Sequence, residues 1–538
     1  MTRAADVLAR TLASQGVRTV HGIPGGETVH VMDSILQSGL EFICVRDENA
    51  AAFMAMGASR MNGSPGVCLT TVGPGASNIF LGTATANLDH IPLLVLTGDF
   101  EKRVRGEPHR QGFDQQTAFS VFTKYSRRIE RPEDTERVLR QALMDCLSEP
   151  PGPVHIALPM DIMGGTAGEQ TPFQPDSKGH VVADIQPLRQ ALLRSQRPFI
   201  ICGHGVIRAG AADDLRSMAK AWNVPVTHSW MGDGVLPWDD PLGLHRIGLP
   251  QNHILPALGE ADLMLCVGLD VEELHPGIWE ALAHVPAIHL SQRPQPLSPR
   301  HPRQSVAIGD LAPSLRSLSE YASPRPSWTT EMKASLQRHL NAPASSGRGG
   351  LHPVDLVRTL RAHMRREDVV VSDVGAHMLW LCELYPSYRE NTLLVSNGMI
   401  PMGIGLPAAL GVKKSCPERR VVNLCGDGGF QMSLAELGTA VQNHLPVVSV
   451  VWNDSCLGLI RTRHEMAYGR HCGTDLHSPD FSLVAKAYGA EGYRVDSVEG
   501  LDEALGLAVR SSLPSVIDVR VDNADNSLLF RPPDSYKS

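Results

Sequence analysis

Short runs of Val, Ile and Leu, apolar on both faces and separated by longer helical patterns, limit what this chain can fold into more than any other feature. They fall at Val67–Thr71, Pro92–Thr97, Val154–Leu158, Phe199–Cys202, Leu263–Val267, Val369–Ser372, Leu393–Ser396, Val421–Leu424, Val447–Val451 and Val516–Val519. Strands of this kind are buried from both sides, which predicts parallel α/β sheets flanked by helices. Several end in glycine-containing turns, the places where open α/β sheets bind ligands.

Two stretches break the rhythm, GGTAGEQTPFQPDSKG at 164–179 and 322–350 with SPRPS and NAPASSGRGG, and both read as exposed linkers. They divide the 538 residues into three expected α/β domains, 1–165, 183–325 and 350–538. No low-complexity tract or short-period repeat interrupts them.

A net charge of −8 and the lack of a basic stripe argue against nucleic acid as a partner. The ten cysteines lie singly with no C-x-x-C pair, so neither structural zinc nor a disulfide framework is indicated. A reducing cytoplasm is the expected location. The first residues, MTRAADVLARTLASQGV, mix charge into their apolar face and read as neither signal peptide nor anchor. No run of 18 apolar residues occurs, and no membrane association is expected.

The strongest local signal is VVNLCGDGGFQMSLAELGTA, beginning at Val421 and followed by LPVVSVVWNDSCLG. A buried strand ends at Leu424, the turn Gly426-Asp427-Gly428-Gly429 follows, and a helix is expected from about Met432. Backbone N–H groups and a carboxylate then converge at a strand end, which suits a metal-bridged diphosphate. A second strand ends at Trp452-Asn453-Asp454-Ser455, placing Asp454 27 residues beyond Asp427. Read alone, a glycine-flanked Asp is commonly just a turn, and Asp454 could simply cap a helix.

The pair resembles the signature of thiamine diphosphate enzymes, GDG followed some 25 to 30 residues later by Asn-Asn. The resemblance implies that Mg²⁺ is held by Asp427, Asp454 and the backbone carbonyl of Cys456, with Gly426, Gly428 and Gly429 against the diphosphate. Asp454 departs from the usual Asn, but a carboxylate oxygen serves Mg²⁺ at least as well as an amide oxygen.

The N-terminal third carries HGIPGGETVHVMDSI at 21–35, CVRDENAAAFMAMGASRMNGSPGVCLTTVGPGASN at 44–78 and IPLLVLTGD at 91–99. These blocks resemble the pyrimidine-binding domain of the acetolactate synthase and pyruvate oxidase group, with its F-G-x-P-G, H-E-x-A-A-x-x-M-A-x-G-x-A-R and G-P-G-x-x-N. Pro24 and Gly25 then belong to the cofactor site, and Glu48 takes the place of the catalytic glutamate. In the family that carboxyl hydrogen-bonds N1′ of the cofactor and promotes its imino form, so one glutamate suffices if it is buried and well placed. SDVGAHMLW at 372–380 and SNGMIPMGIGLPAALG at 396–411 extend the resemblance. They nominate Ala376 and His377 at the diphosphate, Ile400 through its carbonyl, and Met402 as the bulky support of the bent cofactor. Because Glu48 and the metal residues lie in different domains, the resemblance implies a homodimer or homotetramer with active sites at subunit interfaces.

Gln111-Gly112-Phe113-Asp114, with Lys124 13 positions after Gln111, looks like the Q-x-x-D and lysine of acetolactate synthases. This nominates Gln111 and Lys124 as catalytic, and a pyruvate-like 2-keto acid as donor for decarboxylation and carboligation. VGLDVEELHPG stands where flavin-binding relatives have R-F-D-D-R, and GHGVIRAG gives no G-x-G-x-x-G, so FAD is not expected. Arg110 and Arg463 are candidates for an anionic group on donor or acceptor. Another C–C lyase, decarboxylase or acyl transferase acting on an anionic aldehyde or acid is the alternative. A catalytically silent relative is the third reading, opposed by Glu48 and the intact GDG.

Overall fold

The computed structural model describes residues 2–104, 107, 110–168, 181–340 and 349–530. It contains three six-stranded sheets in which every paired strand is parallel, so the α/β expectation holds for each unit. The first sheet comprises β1 (Thr19–Gly22), β2 (Glu41–Cys44), β3 (Gly66–Thr70), β4 (Leu93–Asp99), β5 (Tyr125–Arg128) and β6 (Pro153–Pro159). The second comprises β7 (Pro198–Cys202), β8 (Val226–His228), β9 (Gly243–Arg246), β10 (Leu263–Val267), β11 (Ala287–Ser291) and β12 (Gln304–Ile308). The third comprises β13 (Val369–Ser372), β14 (Leu393–Leu394), β15 (Val421–Gly426), β16 (Val448–Asn453), β17 (Glu491–Val495) and β18 (Ser515–Arg520).

The first and third sheets share one strand order, β2-β1-β3-β4-β6-β5 and β14-β13-β15-β16-β18-β17. Their order reverses between β1 and β3 and between β13 and β15, and such switch points open a crevice beyond the strand ends. The second sheet runs β12-β11-β10-β7-β8-β9 and has its switch between β7 and β10.

Helix Glu48–Asn62 of the first unit packs on helix Gly405–Ser415 of the third, and their residues share one apolar core. Two glycines allow the close approach. A methyl group on Gly57 would lie 2.2 Å from the Ala408 carbonyl oxygen, and one on Gly411 would lie 1.9 Å from that of Met54. The contacts run in opposite order along the two helices, so the pair is antiparallel. Glu48 therefore lies at the far end of the pair from Gly405.

The stretch 322–350 is not all linker: Thr330–Leu340 is a helix whose Met332 and Leu336 are buried in the core of the second unit. Their four-residue spacing puts both on one face, and Trp328 anchors the approach by donating its indole N–H to the Pro198 carbonyl at 2.9 Å.

Candidate active site

The third sheet builds its crevice from the turns after β13, β15 and β16. The helix after β15 begins at Asp427, earlier than the expected Met432, with Gly426 as its N-cap. The backbone N–H groups of the GDGG turn thus become the open first turn of a helix. Gly428 N–H donates to Asp427 Oδ1 at 2.9 Å, and the Ser478 hydroxyl donates to Asp427 Oδ2. β15 and β16 run side by side with Gly426 paired to Trp452, which brings Asp454 to the same crevice. Burial pushes the Asp454 carboxyl up to about 6, and the negative charge of Asp427 adds to the effect. Burial also raises Asp427, against the hydrogen bonds of Ser478 and Gly428.

Two acidic groups held together out of water call for a cation. Among the described residues no group of three or more His, Cys, Asp or Glu side chains forms a metal site. A metal here would rest on two carboxylates plus backbone oxygen, and Cys456, which follows Ser455 with its φ of 52°, lines the same crevice.

Ala376 and His377 open helix Ala376–Leu384 on the opposite wall. His377 is buried, its Nε2 has no partner among the described residues, and burial lowers its pKa to about 4. Its ring faces Gly426, where a methyl group would lie 3.3 Å from His377 Cε1. Open backbone donors, an unpartnered buried ring nitrogen and two carboxylates match a diphosphate bridged by a divalent ion.

Met402 flanks the same turn, its Cε 3.3 Å from where a Gly428 methyl would stand. Ile400 adopts a φ of 55°, a left-handed conformation that a β-branched residue takes only at a cost. What fixes this turn is Asp373, a residue the sequence reading passed over. Its buried carboxylate accepts the N–H groups of Gly403 at 3.0 Å and Gly405 at 3.1 Å, and of its neighbour Val374 at 2.6 Å. The signal was the Asp of the D-x-G block itself.

In the first unit, Glu48 opens its helix behind the N-cap Asp47, which accepts from Asn49 N–H at 2.9 Å. Asn78, the last residue of GPGASN, donates to Glu48 Oε2 at 2.7 Å and to Asp47 Oδ2 at 2.9 Å. Pro24 and Gly25 lie in the turn after β1, and a Gly25 methyl would come 2.7 Å from Thr71 Cγ2. Gln111 sits over Gly73 of the neighbouring loop, its Cβ 2.6 Å from where a methyl would be, with a φ of 70°. Arg110 beside it is exposed.

Lys124 does not take the place expected of a catalytic amine. Its Nζ donates to Ser148 O at 2.6 Å, Pro150 O at 2.7 Å and Ser148 Oγ at 2.8 Å, which engages all three protons in bracing the turn before β6. Arg463 is exposed on helix Gly458–Tyr468, its guanidinium 5.0 Å from the Phe530 ring centre.

At the switch point of the second sheet, Glu273 packs against the turn after β7. Its carboxylate accepts the His204 N–H at 3.1 Å, the Asp270 N–H at 3.1 Å and the Ser229 hydroxyl. A methyl on Gly203 would lie 2.6 Å from Glu273 Oε1, so the side chain fills the space above that glycine.

The three units match, in order, the N-terminal TPP binding domain of thiamine pyrophosphate enzymes over residues 2–120, their central domain over 185–318 and their C-terminal TPP binding domain over 373–519. Acetolactate synthase of Bacillus subtilis (strain 168) is 30% identical across 97% of this chain and 94% of its own length. The catabolic acetolactate synthase of Raoultella terrigena and the isozyme 3 large subunit of Escherichia coli (strain K12) are each 31% identical, across 98% of this chain and 96% of their own lengths. With three matched domains in order and relatives alike along nearly the whole length, this chain belongs to the thiamine pyrophosphate enzyme family, in its acetolactate synthase group.

Proposed function

We propose that the protein decarboxylates a pyruvate-like 2-keto acid and joins the remaining carbon unit to an acceptor carbonyl, using thiamine diphosphate and Mg²⁺. The observation that carries this reading is the convergence of Asp427, Asp454 and an open helix N-terminus at one switch point. Thiamine diphosphate, when bound, supplies the carbon nucleophile for the 2-keto carbonyl and a sink for the electrons left when CO₂ departs.

The chain's own groups divide the remaining work. Asp427, Asp454 and the Cys456 carbonyl hold the ion, while Gly426, Gly428, Gly429, Ala376 and His377 receive the diphosphate. Ile400 and Met402 orient the ring system, their turn braced by Asp373. Glu48, aligned by Asn78, holds the proton that sets the tautomer of the aminopyrimidine. Gln111, and a contact from Arg110 and Arg463 to an anionic group on donor or acceptor, complete the assignment.

A single chain does not bring these halves together. From the Gly57–Ala408 contact, Glu48 lies nine residues one way and Gly405 three the other, about 18 Å of helix at about 1.5 Å per residue. A second copy, in a homodimer or homotetramer, supplies the complementary half of each site. Glu273 supports a central domain without FAD, and the ten free thiols suit a reducing cytoplasm.

The test is CO₂ release and carbon–carbon product from a panel of 2-keto acids and acceptors, with thiamine diphosphate and Mg²⁺ saturating. Release from pyruvate or a close analogue with ligated product is expected. No release from any 2-keto acid overturns the reading.

A further inference from the structure

Asp89 ties the first unit to the loop of the third that carries Ile400, and it has no part in the scheme above. It stands just past helix Phe80–Leu88, where its own N–H closes the last turn on the Thr85 carbonyl at 2.9 Å. Its side chain is buried, and Oδ1 accepts the N–H groups of Asn397 at 3.1 Å and Gly398 at 2.7 Å, 308 and 309 residues further along the chain. The same carboxylate accepts the Ser396 hydroxyl, whose oxygen in turn accepts the Ile400 N–H at 3.3 Å. Burial pushes the Asp89 carboxyl up, against these hydrogen bonds and the positive charge of the buried Arg60.

The loop backbone rests directly on the end of that helix. A methyl group on Gly398 would lie 2.5 Å from both the Leu88 Cβ and the Leu88 carbonyl oxygen. The central unit braces the same junction: His90 Nε2 lies 2.9 Å from Glu272 Oε1, and Asn397 Nδ2 donates to the Glu272 carbonyl at 3.4 Å. Burial does not hold the loop tip, since Met399 and Ile400 are exposed. Asp373 secures the far side of the turn through Gly403 and Gly405. The near side, with the left-handed Ile400, is held by Asp89 and Ser396.

Resting on the functional reading above, we propose that Asp89 is a positioning residue that acts through Ser396 to aim the Ile400 carbonyl at the 4′-amino group of the cofactor. A strained backbone conformation persists only where the surrounding bonds over-determine it. For Ile400 those bonds are the Ser396 oxygen on its own N–H and the Asp89 carboxylate on the two amides before Met399. Pro401 follows Ile400 and narrows its second dihedral, so that once the N–H is held the carbonyl keeps one direction. Asp89 thus lets the first unit set a cofactor contact made by the third unit of the same chain.

The test uses the full-length enzyme with thiamine diphosphate and Mg²⁺ saturating, and measures exchange of the cofactor's C2 proton with solvent deuterium, a readout that needs no substrate. The parent should exchange much faster than free cofactor. Asp89→Ala and Ser396→Ala should each slow exchange per bound cofactor by about tenfold to a hundredfold, the cost of a small misplacement at the reacting groups. Ser396→Ala leaves Asp89 on both loop amides, so it carries the test should Asp89→Ala fail to fold. A parent exchange rate in Ser396→Ala overturns the proposal. So does a slowing that more cofactor restores in full, because Asp89 and Ser396 would then only clasp the units together. A parent that binds the cofactor without speeding C2 exchange overturns the functional reading, and the positioning role with it.

Discussion

The side-chain amide of Asn78 reaches 30 residues back along the chain to donate to Glu48 Oε2 at 2.7 Å. One carboxylate oxygen is thus held and Oε1 is turned toward Gly75, 3.1 Å from where a methyl would stand. Glu48→Gln should keep the fold and most cofactor affinity while lowering turnover by about 10²–10⁴, the range of acid–base groups. Asn78→Ala should lower it less, because Glu48 stays ionisable but loses its alignment. Steady-state rates beside cofactor titration check both, and near-parent turnover in Glu48→Gln would exclude the role.

The two carboxylates of the third domain should respond differently to substitution. Asp454 is the group pushed up to about 6 by burial and by Asp427, so its charge is carried at a cost unless a cation is present. Asp454→Asn removes the repulsion and leaves an amide oxygen that still serves Mg²⁺, so it should retain thiamine diphosphate. Asp427→Ala loses the ligand that Ser478 and Gly428 orient and should release the cofactor, as should chelation of the parent. Equilibrium dialysis with and without chelator decides, and full retention in Asp427→Ala after chelation would sink the metal assignment.

Strands made almost wholly of Val, Ile and Leu were legible in the sequence because composition alone marks them, whereas the interior strands β1, β8 and β11 were not read, since each carries a buried His among shorter apolar runs. β5 and β12 were not, since Tyr125–Arg128 and Gln304–Ile308 are edge strands with exposed polar residues. Helix Thr330–Leu340 escaped because proline and serine precede it, although Met332 and Leu336 keep helical spacing. At the site, Glu48 and the GDGG turn stood out as contiguous motifs. Asp373 and Asp89 did not, because their partners are backbone N–H groups 30 and 308 residues away, brought close only by the switch-point topology and by the packing of the first unit on the third. Lys124 shows the reverse error: its spacing from Gln111 matched a pattern, but its acceptors, the Ser148 and Pro150 oxygens, are fixed by the turn before β6.

Asp373→Asn tests whether the Met402 turn is held from beneath. The substitution leaves one good acceptor where two oxygens served the Gly403 and Gly405 N–H groups, and an unsatisfied buried donor costs about 1–3 kcal/mol. If that cost loosens Ile400 and Met402, thiamine diphosphate should bind roughly tenfold to a hundredfold more weakly. Asp373→Glu should not restore it, because Gly429 leaves no space, a methyl there lying 2.9 Å from Asp373 Oδ1. Parent affinity in Asp373→Asn, measured by titrating intrinsic fluorescence with the cofactor, would show that the turn holds itself.

His155 lies in the first sheet's core, stacked on Phe119 at 3.9 Å between ring centres. Ser126 Oγ donates to Gln116 O at 2.9 Å and so accepts from His155 Nδ1 at 3.0 Å, which leaves Nε2 to accept from Thr97 Oγ1 at 2.9 Å. The ring is a neutral tautomer with both nitrogens engaged, and burial lowers its pKa to about 3. Burial likewise takes His245 to about 3 and His21 to about 4. In the unfolded chain such groups bind a proton below about 6.5, while in the folded protein they do not. The unfolded state then holds more protons, so stability is complete above about pH 6.5 and falls as the pH drops toward 4, by about 1.4 kcal/mol per unit for each histidine. The thermal midpoint should decline steeply between pH 6.5 and 4.5. His155→Gln cannot titrate, so it should start from a lower midpoint at pH 7.5, having lost the stacked ring, and then decline with a shallower slope. A variant that follows the parent's slope through that range would show that His155 is already protonated in the folded protein or neutral in both states.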